Sequence, residues 1–178
     1  AAVIQGAPAI RTAKAAGDQV QFGMIGTGSR GTYLLKHLKD VDNGRCVALC
    51  DINQDALTEA AKTIGNNPKT FKDYRELLDR KDVDAVIVAV ADFQHRRVVL
   101  DCIAAGKDVY CEKPMSHNVA DGFAMVKAVQ ENKRIFQAGS QRVSSVVFKK
   151  AAEIYKSGRL GEVTLITASM DRNSDSGA

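Results

Sequence analysis

The sequence predicts an α/β fold built around a doubly wound parallel sheet, and three observations lead to this prediction. Short apolar runs alternate with stretches of helical periodicity from residue 20 onward, a pattern typical of parallel strands joined by right-handed helical crossovers. Residues 85–90 are apolar without interruption, as expected of a strand that is covered on both faces. A glycine-rich turn follows the first apolar run directly.

The predicted elements follow one another in a regular order. Apolar runs of strand length predict strands at residues 20–25, 46–50, 85–90, 108–111 and 135–138. Apolar residues at helical spacing predict helices at residues 32–38, 54–64, 73–79, 97–105, 119–132 and 146–157. Gly106 directly follows the fourth of these helices, at a position where glycine favours a helix end. A longer strand is predicted at residues 163–170, and residues 171–178 are polar and turn-like.

The chain divides into three predicted regions. Residues 1–17 are rich in small side chains and are typical either of the tail of a processed export signal with a following arm or of a disordered terminus. The first alternative predicts a periplasmic or otherwise exported protein, and a cytoplasmic protein is the other possibility. Residues 18–142 are predicted to form the doubly wound domain. Residues 143–178 are predicted to begin a second, α+β domain with an antiparallel sheet.

The composition argues against nucleic-acid, membrane and metal sites. The 178 residues carry a net charge of +4, no Trp and no run of five basic residues, whereas nucleic-acid binding typically uses a concentrated basic stripe with stacking aromatics. No apolar run reaches the length of about 18 residues that spans a bilayer. The cysteines at 46, 50, 102 and 111 form no C-x-x-C pair, so buried thiols are predicted rather than zinc ligands.

The glycine-rich turn matches the dinucleotide-binding fingerprint of Rossmann folds. Gly26, Gly28 and Gly31 fit G-x-G-x-x-G between a predicted strand and a predicted helix. Gly26 permits the tight turn, Gly28 lets the backbone approach a pyrophosphate, and Gly31 lets the helix pack closely on the strand. The phosphates would face the free N–H groups at the start of the helix. Ser29 and Arg30 would add a hydroxyl and a cation to the same anion site.

An acidic residue supports this fingerprint. Asp51 follows the second predicted strand, 20 residues beyond Gly31, where a carboxylate accepts hydrogen bonds from the adenosine ribose of NAD. It would repel the 2′-phosphate of NADP, although Arg30 could offset that repulsion. NAD is therefore the predicted cofactor and NADP the less favoured one. An ordinary loop with Asp51 as a helix cap, and a methyltransferase that uses S-adenosylmethionine, are the alternatives.

A second candidate site follows the predicted strand at residues 108–111. Glu112, Lys113 and Pro114 lie at the carboxyl edge of the predicted sheet, where ligands bind in open α/β folds. Pro114 restricts Lys113 to an extended conformation. The ammonium group can then bind a substrate hydroxyl or help to move its proton. Lys113 is the predicted catalytic residue, and a solvated loop lysine is the alternative.

Together these motifs resemble the glucose–fructose oxidoreductase / inositol dehydrogenase (Gfo/Idh/MocA) family. The resemblance covers about residues 20–172 and includes the segments 106–116, 137–142 and 158–163. It implies a Rossmann domain followed by an antiparallel sheet domain, which in the family supplies an Asp and a His to the catalytic set. It also implies a sugar-like small molecule as substrate and assembly into a homo-oligomer.

The resemblance implies roles for individual residues. Lys113 would contact substrate and nicotinamide, Glu112 the nicotinamide ribose, and Gln141 would pass near the nicotinamide. His95 would close the loop after residues 85–90, and a surface histidine at a helix start is the alternative. The loop begins differently from the family pattern, which leaves the contacts of residues 91–94 open. The predicted cofactor-binding residues are Gly26, Gly28, Ser29, Arg30, Gly31, Asp51, His95, Glu112, Lys113 and Gln141.

Three functions follow from these expectations. The first is an NAD-dependent oxidoreductase, or its cofactor-binding portion, that transfers hydride between nicotinamide and a sugar or cyclitol. The second is an NAD-dependent glycosidase that acts by transient oxidation and elimination. The third is a dinucleotide-binding module without catalytic activity.

Overall fold

The structure is a computed structural model that describes residues 19–169. It divides into two compact units, and the division falls between Gly139 and Ser140, close to the domain boundary at residue 142 that the sequence predicts. Residues 1–17, for which the sequence predicts an export signal or a free terminus, and residues 171–178, for which it predicts turns, lie outside the described residues.

The first unit contains a six-stranded parallel sheet. Its strands are β1 (Val20–Ile25), β2 (Gly44–Cys50), β3 (Lys69–Phe71), β4 (Ala85–Val88), β5 (Asp108–Glu112) and β6 (Phe136–Gly139). Their spatial order is β3-β2-β1-β4-β5-β6, and every pairing is parallel. This is the strand order of two mononucleotide-binding halves that meet between β1 and β4. The predicted α/β fold with a doubly wound parallel sheet (Rossmann) is therefore confirmed.

Helices connect the strands. They are α1 (Ser29–Leu38), α2 (Gln54–Ile64), α3 (Tyr74–Leu78), α4 (Asp92–Ala104) and α5 (Val119–Asn132). Asn53 and Asn118 cap α2 and α5, because each side chain accepts hydrogen bonds from backbone N–H groups of the first turn. Gly106 has a φ of +75° just beyond α4, which confirms the predicted helix end.

Two hydrophobic clusters stabilise the sheet. One contains Met24 of β1 and Leu35 and Leu57 of the first two helices. The other contains Val99 and Met125 of α4 and α5, packed on the central strands. Each of these five side chains is at most 2 % exposed. The sheet is thus covered on both faces, which explains why its central strands are continuous apolar runs.

Several boundaries differ from the sequence-based ones. Helices α1 and α4 begin at Ser29 and Asp92, earlier than the predicted residues 32 and 97. Their first turns carry no apolar stripe, since the one large apolar side chain in them, Phe93, is exposed. The strand β3 is not predicted, since its three residues are too few for a period to be recognised. Strand β4 ends at Val88, and the next two residues of the predicted strand line a cavity described below.

The second unit contains a 3-10 helix at Gln141–Ser144 and the helix α6 (Val146–Lys156). Ser145 caps α6 by accepting a hydrogen bond from the N–H of Phe148. The strand predicted at residues 163–170 is wrong for its described part, since residues 163–169 form neither helix nor strand. Strand structure depends on ladder hydrogen bonds to a neighbouring strand, and no strand in the described range pairs with this segment.

All four cysteines are free thiols and buried, as predicted. Desolvation is the main cause that raises the pKa of Cys46, Cys50 and Cys111 to about 12, so these thiols stay protonated at neutral pH.

Among residues 19–169, no helix is long and apolar enough to cross a lipid bilayer.

Candidate functional site

The glycine turn between β1 and α1 is held in a close-packed conformation. Gly26 has a φ of +92°, which favours glycine. A Cβ atom at Gly31 would lie 2.1 Å from the carbonyl oxygen of Gly26, so that position requires the bare backbone. A Cβ atom at Gly28 would meet no protein atom within 4 Å. The turn is therefore rigid at Gly26 and Gly31 and open at Gly28.

The open side of the turn is the start of α1. Gly28 is the N-cap residue and offers no side-chain acceptor to the first N–H groups of the helix. Gly28 and Ser29 are exposed, and the turn is braced from behind by Thr32, whose hydroxyl donates to the carbonyl of Thr27 at 2.8 Å. Uncapped N–H groups at a helix start attract an anion. This cradle fits the pyrophosphate of a dinucleotide.

Asp51 lies directly against the turn. Its Oδ2 accepts hydrogen bonds from the backbone N–H of Thr27 at 2.6 Å and from the Thr27 hydroxyl at 3.2 Å. Its Oδ1 accepts from the backbone N–H of Asn53 at 2.9 Å. These donors fix the carboxylate, and Oδ1, which accepts only one of the three hydrogen bonds, keeps a lone pair for a ligand hydroxyl. Thr27 is a site residue that the sequence analysis missed, because the fingerprint places only glycines in the turn.

A cavity of about 320 Å³ opens between the two halves of the sheet. Its lining includes the glycine turn, Asp51, Ile52, Lys72, Tyr74, residues 89–91 and Gln94. These residues follow β1, β2, β3 and β4, so the cavity lies outside the carboxyl ends of the strands at the switch point of the sheet. Ligands of open α/β sheets bind at that place. Lys72 and Tyr74 were also missed, since the short strand that positions them is not predicted.

Glu112 and Lys113 lie at the end of β5, in the other half of the sheet. The Glu112 side chain is 5 % exposed and pairs with Arg30 of α1. Its Oε2 accepts a hydrogen bond from the backbone N–H of Lys113 at 3.1 Å, and the Tyr110 hydroxyl lies 3.4 Å from its Oε1. The side chain of Lys113 is exposed to solvent. The buried carboxylate thus anchors the loop that presents the lysine.

Arg30 reaches Glu112 rather than Asp51. Its Nε and Nη2 atoms lie 2.8 and 2.5 Å from Oε1 of Glu112, and its guanidinium lies over the Tyr33 ring at 5.1 Å. Strands β1 and β4 stand between β2 and β5, so the strand ends at Asp51 and Glu112 are about 14 Å apart at ordinary strand spacing. Arg30 therefore points away from the place where a 2′-phosphate would meet Asp51.

His95 occupies the first turn of α4 and is 1 % exposed, which corrects the surface alternative for this residue. Its Nδ1 lies 2.8 Å from the carbonyl oxygen of Pro114 and its Nε2 lies 3.1 Å from that of Val90. A neutral ring donates one of these hydrogen bonds and an imidazolium donates both. His95 joins the loops after β4 and β5. Its predicted contact with the cofactor stays a prediction.

We expect His95→Ala to lower the free energy of unfolding by about 2 kcal/mol, because it creates a void and removes a buried hydrogen bond. His117→Ala is the matched control, since the His117 side chain is 59 % exposed and its ion-pair partner Asp92 is itself 40 % exposed. That control is expected to change the free energy by less than about 0.5 kcal/mol. Urea unfolding followed by circular dichroism measures both. Equal values for the two variants would contradict the bridging role of His95.

Gln141 begins the 3-10 helix of the second unit and is exposed. Its predicted approach to the nicotinamide stays a prediction.

Within residues 19–169 no three His, Cys, Asp or Glu side chains are grouped so that they could hold a metal ion.

The comparisons with known proteins agree with this geometry. Residues 20–140 match the model of an oxidoreductase family with an NAD-binding Rossmann fold. The chain is 34 % identical over 143 residues to a myo-inositol 2-dehydrogenase of Thermotoga maritima, covering 80 % of this chain and 42 % of the relative. It is 36 % identical over 154 residues to an inositol 2-dehydrogenase of Gluconacetobacter diazotrophicus, covering 85 % and 45 %. The chain thus spans less than half the length of these curated relatives.

Solved structures show the same likeness. A myo-inositol dehydrogenase from Lactobacillus casei, in complex with NAD(H) and myo-inositol, superposes with a TM-score of 0.77 at 26 % identity and covers 80 % of this chain and 43 % of its own. A probable dehydrogenase from Thermotoga maritima superposes with a TM-score of 0.72 at 34 % identity and covers 79 % and 42 %.

Proposed function

Since this chain belongs to the Gfo/Idh/MocA oxidoreductase family, we propose that it is the NAD-binding part of an enzyme that transfers hydride between nicotinamide and a cyclitol or related sugar. Family membership rests on the match over residues 20–140. The cyclitol is proposed because relatives at 34 and 36 % identity are inositol dehydrogenases. A sugar-like small molecule is the general substrate class.

The observation that carries the proposal is the joint geometry of the turn and the acid. Gly28 leaves open space at the start of α1, and Asp51 is held against the same turn by Thr27. One side of the cavity therefore offers N–H groups to linked phosphates, and the adjacent side offers carboxylate oxygens to ribose hydroxyls. This arrangement supports NAD as the cofactor.

The β5 edge supplies one of the groups that a carbinol oxidation needs. The glycine turn and Asp51 would hold NAD⁺, which would supply the hydride acceptor, and the hydroxyl proton would pass to the Asp and His that the family resemblance implies in an antiparallel sheet domain. The exposed ammonium of Lys113 can donate a hydrogen bond to the substrate oxygen and hold its developing negative charge. Glu112 positions that lysine through the Lys113 N–H.

Calorimetric titration of the chain with NAD⁺, NADP⁺ and S-adenosylmethionine tests the cofactor. We expect NAD⁺ to bind more tightly than NADP⁺ and S-adenosylmethionine to give no binding heat. Preference for S-adenosylmethionine, or no binding of any nucleotide, would overturn the proposal.

The activity is tested on the protein as its natural gene encodes it. We expect NADH to accumulate when NAD⁺ is supplied with free myo- or scyllo-inositol. Release of an aglycone from aryl glycosides with no net NADH would instead identify the glycosidase. Export and homo-oligomer formation stay predictions, which rest on the composition of residues 1–17 and on the family resemblance.

A further inference from the structure

An ion pair with one buried member lies at the end of β5, in the half of the sheet where the proposed function puts the nicotinamide. Its members are Arg30 in the first turn of α1 and Glu112 at the end of β5, 82 positions apart in the sequence. The Glu112 side chain is 5 % exposed and that of Arg30 is 36 % exposed. Neither residue belongs to the lining of the cavity beside Asp51. The pair is thus separate from the adenosine half of the site.

The pair is held from several sides. The Lys113 N–H and the Tyr110 hydroxyl approach the two oxygens of the Glu112 carboxylate, and the Tyr33 ring faces the guanidinium. Hydrogen bonding to Glu112 raises the pKa of Arg30 above its ordinary value, so Arg30 stays a cation at every physiological pH. The partly exposed guanidinium therefore neutralises a carboxylate that is itself shielded from water.

The net charge of this pair affects which oxidation state of the cofactor binds more tightly. In a sheet of this strand order, the half that contains β4 and β5 holds the second mononucleotide of a dinucleotide, which in NAD is the nicotinamide. The nicotinamide ring carries a positive charge in NAD⁺ and none in NADH. A single uncompensated charge beside it would favour one form over the other.

We propose that the Arg30–Glu112 ion pair sets the relative affinity of the site for NAD⁺ and NADH. With the pair intact, Arg30 and Glu112 add no net charge beside the ammonium of Lys113, so the pair itself selects neither oxidation state. Loss of Arg30 leaves a carboxylate that favours NAD⁺, and loss of Glu112 leaves a guanidinium that favours NADH. This inference rests on the proposed function, because it requires that the nicotinamide half of the site binds a nicotinamide.

The test is a double-mutant cycle read as a ratio of dissociation constants. NADH binding is measured by its fluorescence and NAD⁺ binding by calorimetry, at pH 8.5, for the native chain and for Arg30→Met, Glu112→Gln and the double variant. The ratio of the NADH constant to the NAD⁺ constant cancels any loss that both forms share. A merely structural role of the pair would therefore leave this ratio unchanged.

We expect Arg30→Met to raise the ratio about fivefold and Glu112→Gln to lower it about fivefold, for charges acting through a partly shielded medium. A fivefold change corresponds to about 20 mV in the two-electron reduction potential of the bound cofactor. The double variant is expected to return to within about twofold of the native ratio, since it is neutral again. Arg30→Lys is the matched control, because it keeps the charge and the native ratio.

Two results separate this inference from the proposed function. If the native chain binds neither NAD⁺ nor NADH, the proposed function itself fails. If both forms bind and the two single variants shift the ratio in the same direction, or not at all, the ion pair does not set the preference and only this inference is overturned.

Discussion

Gly31→Ala is expected to lower the free energy of unfolding by about 3 kcal/mol. A Cβ atom there would lie 2.1 Å from the Gly26 carbonyl oxygen and 3.2 Å from the sulfur of Met24. The first contact is with backbone, so helix α1 must move away from β1. Alanine is otherwise the better helix former by about 1 kcal/mol, and a net loss therefore measures the close packing of helix on strand.

Gly28→Ser is the matched variant in the same turn, and the opposite outcome is expected. Gly28 has a φ of −62°, which any residue adopts, and its Cβ would meet no protein atom within 4 Å. Serine is also a favourable N-cap residue. We expect unchanged or slightly higher stability with at least about a tenfold loss of NAD⁺ affinity, because the new side chain occupies the N–H groups that a pyrophosphate needs.

Urea unfolding and calorimetric titration of NAD⁺ are the two measurements for this pair of variants. Native stability in Gly31→Ala would contradict the close approach of α1 to β1. Native NAD⁺ affinity in Gly28→Ser would show that the dinucleotide does not use the start of α1, and the proposed function would lose its main support.

The sequence predicts the features of this site that depend on local spacing. The glycine fingerprint and Asp51 are found where strand, turn and helix follow one another, and helices α2 and α5 have the bounds that their apolar spacing predicts. The ion pair between Arg30 and Glu112 was not predictable in this way, since it joins residues from distant elements. The two residues come together only because of the spatial order of the strands in the sheet.

The burial of His95 is another feature that local pattern could not reveal. Its neighbours in the first turn of α4 are polar apart from Phe93, so the apolar period that marks a helix begins only later. Its two carbonyl partners come from different loops, and their approach depends on the pairing of β4 with β5. The wrong strand at residues 163–169 has a related cause, because an apolar segment becomes a strand only beside a partner.

Asp51→Asn is expected to change cofactor selectivity more than any other single substitution in the cavity. The carboxylate lies against the turn and accepts hydrogen bonds from Thr27 and Asn53, so it is fixed in place and keeps a lone pair on Oδ1 for a ribose hydroxyl. Charged hydrogen bonds of this kind contribute about 1.5–3 kcal/mol. Their loss, together with the loss of repulsion toward a 2′-phosphate, should lower the preference for NAD⁺ over NADP⁺ about a hundredfold.

Two controls show whether the effect belongs to Asp51. Asp55→Asn removes the same charge from an exposed carboxylate in the first turn of α2, and we expect it to leave the selectivity unchanged. Arg30→Met tests whether the guanidinium next to the glycine turn contributes to the selectivity. Because the guanidinium is held at Glu112, this variant should also keep the native ratio of NADP⁺ to NAD⁺ dissociation constants. All four ratios are measured by calorimetry under one salt concentration, since charge effects are screened by salt.

The outcome for Arg30 decides between two explanations of selectivity. If Arg30→Met weakens NADP⁺ binding specifically, the guanidinium leaves Glu112 to meet the 2′-phosphate, and the ion pair is broken when that cofactor binds. If only Asp51→Asn alters the ratio, discrimination is confined to the end of β2. The second outcome is expected, because a move from Glu112 toward Asp51 would leave a carboxylate that is 5 % exposed without its cation. An uncompensated buried charge costs several kcal/mol.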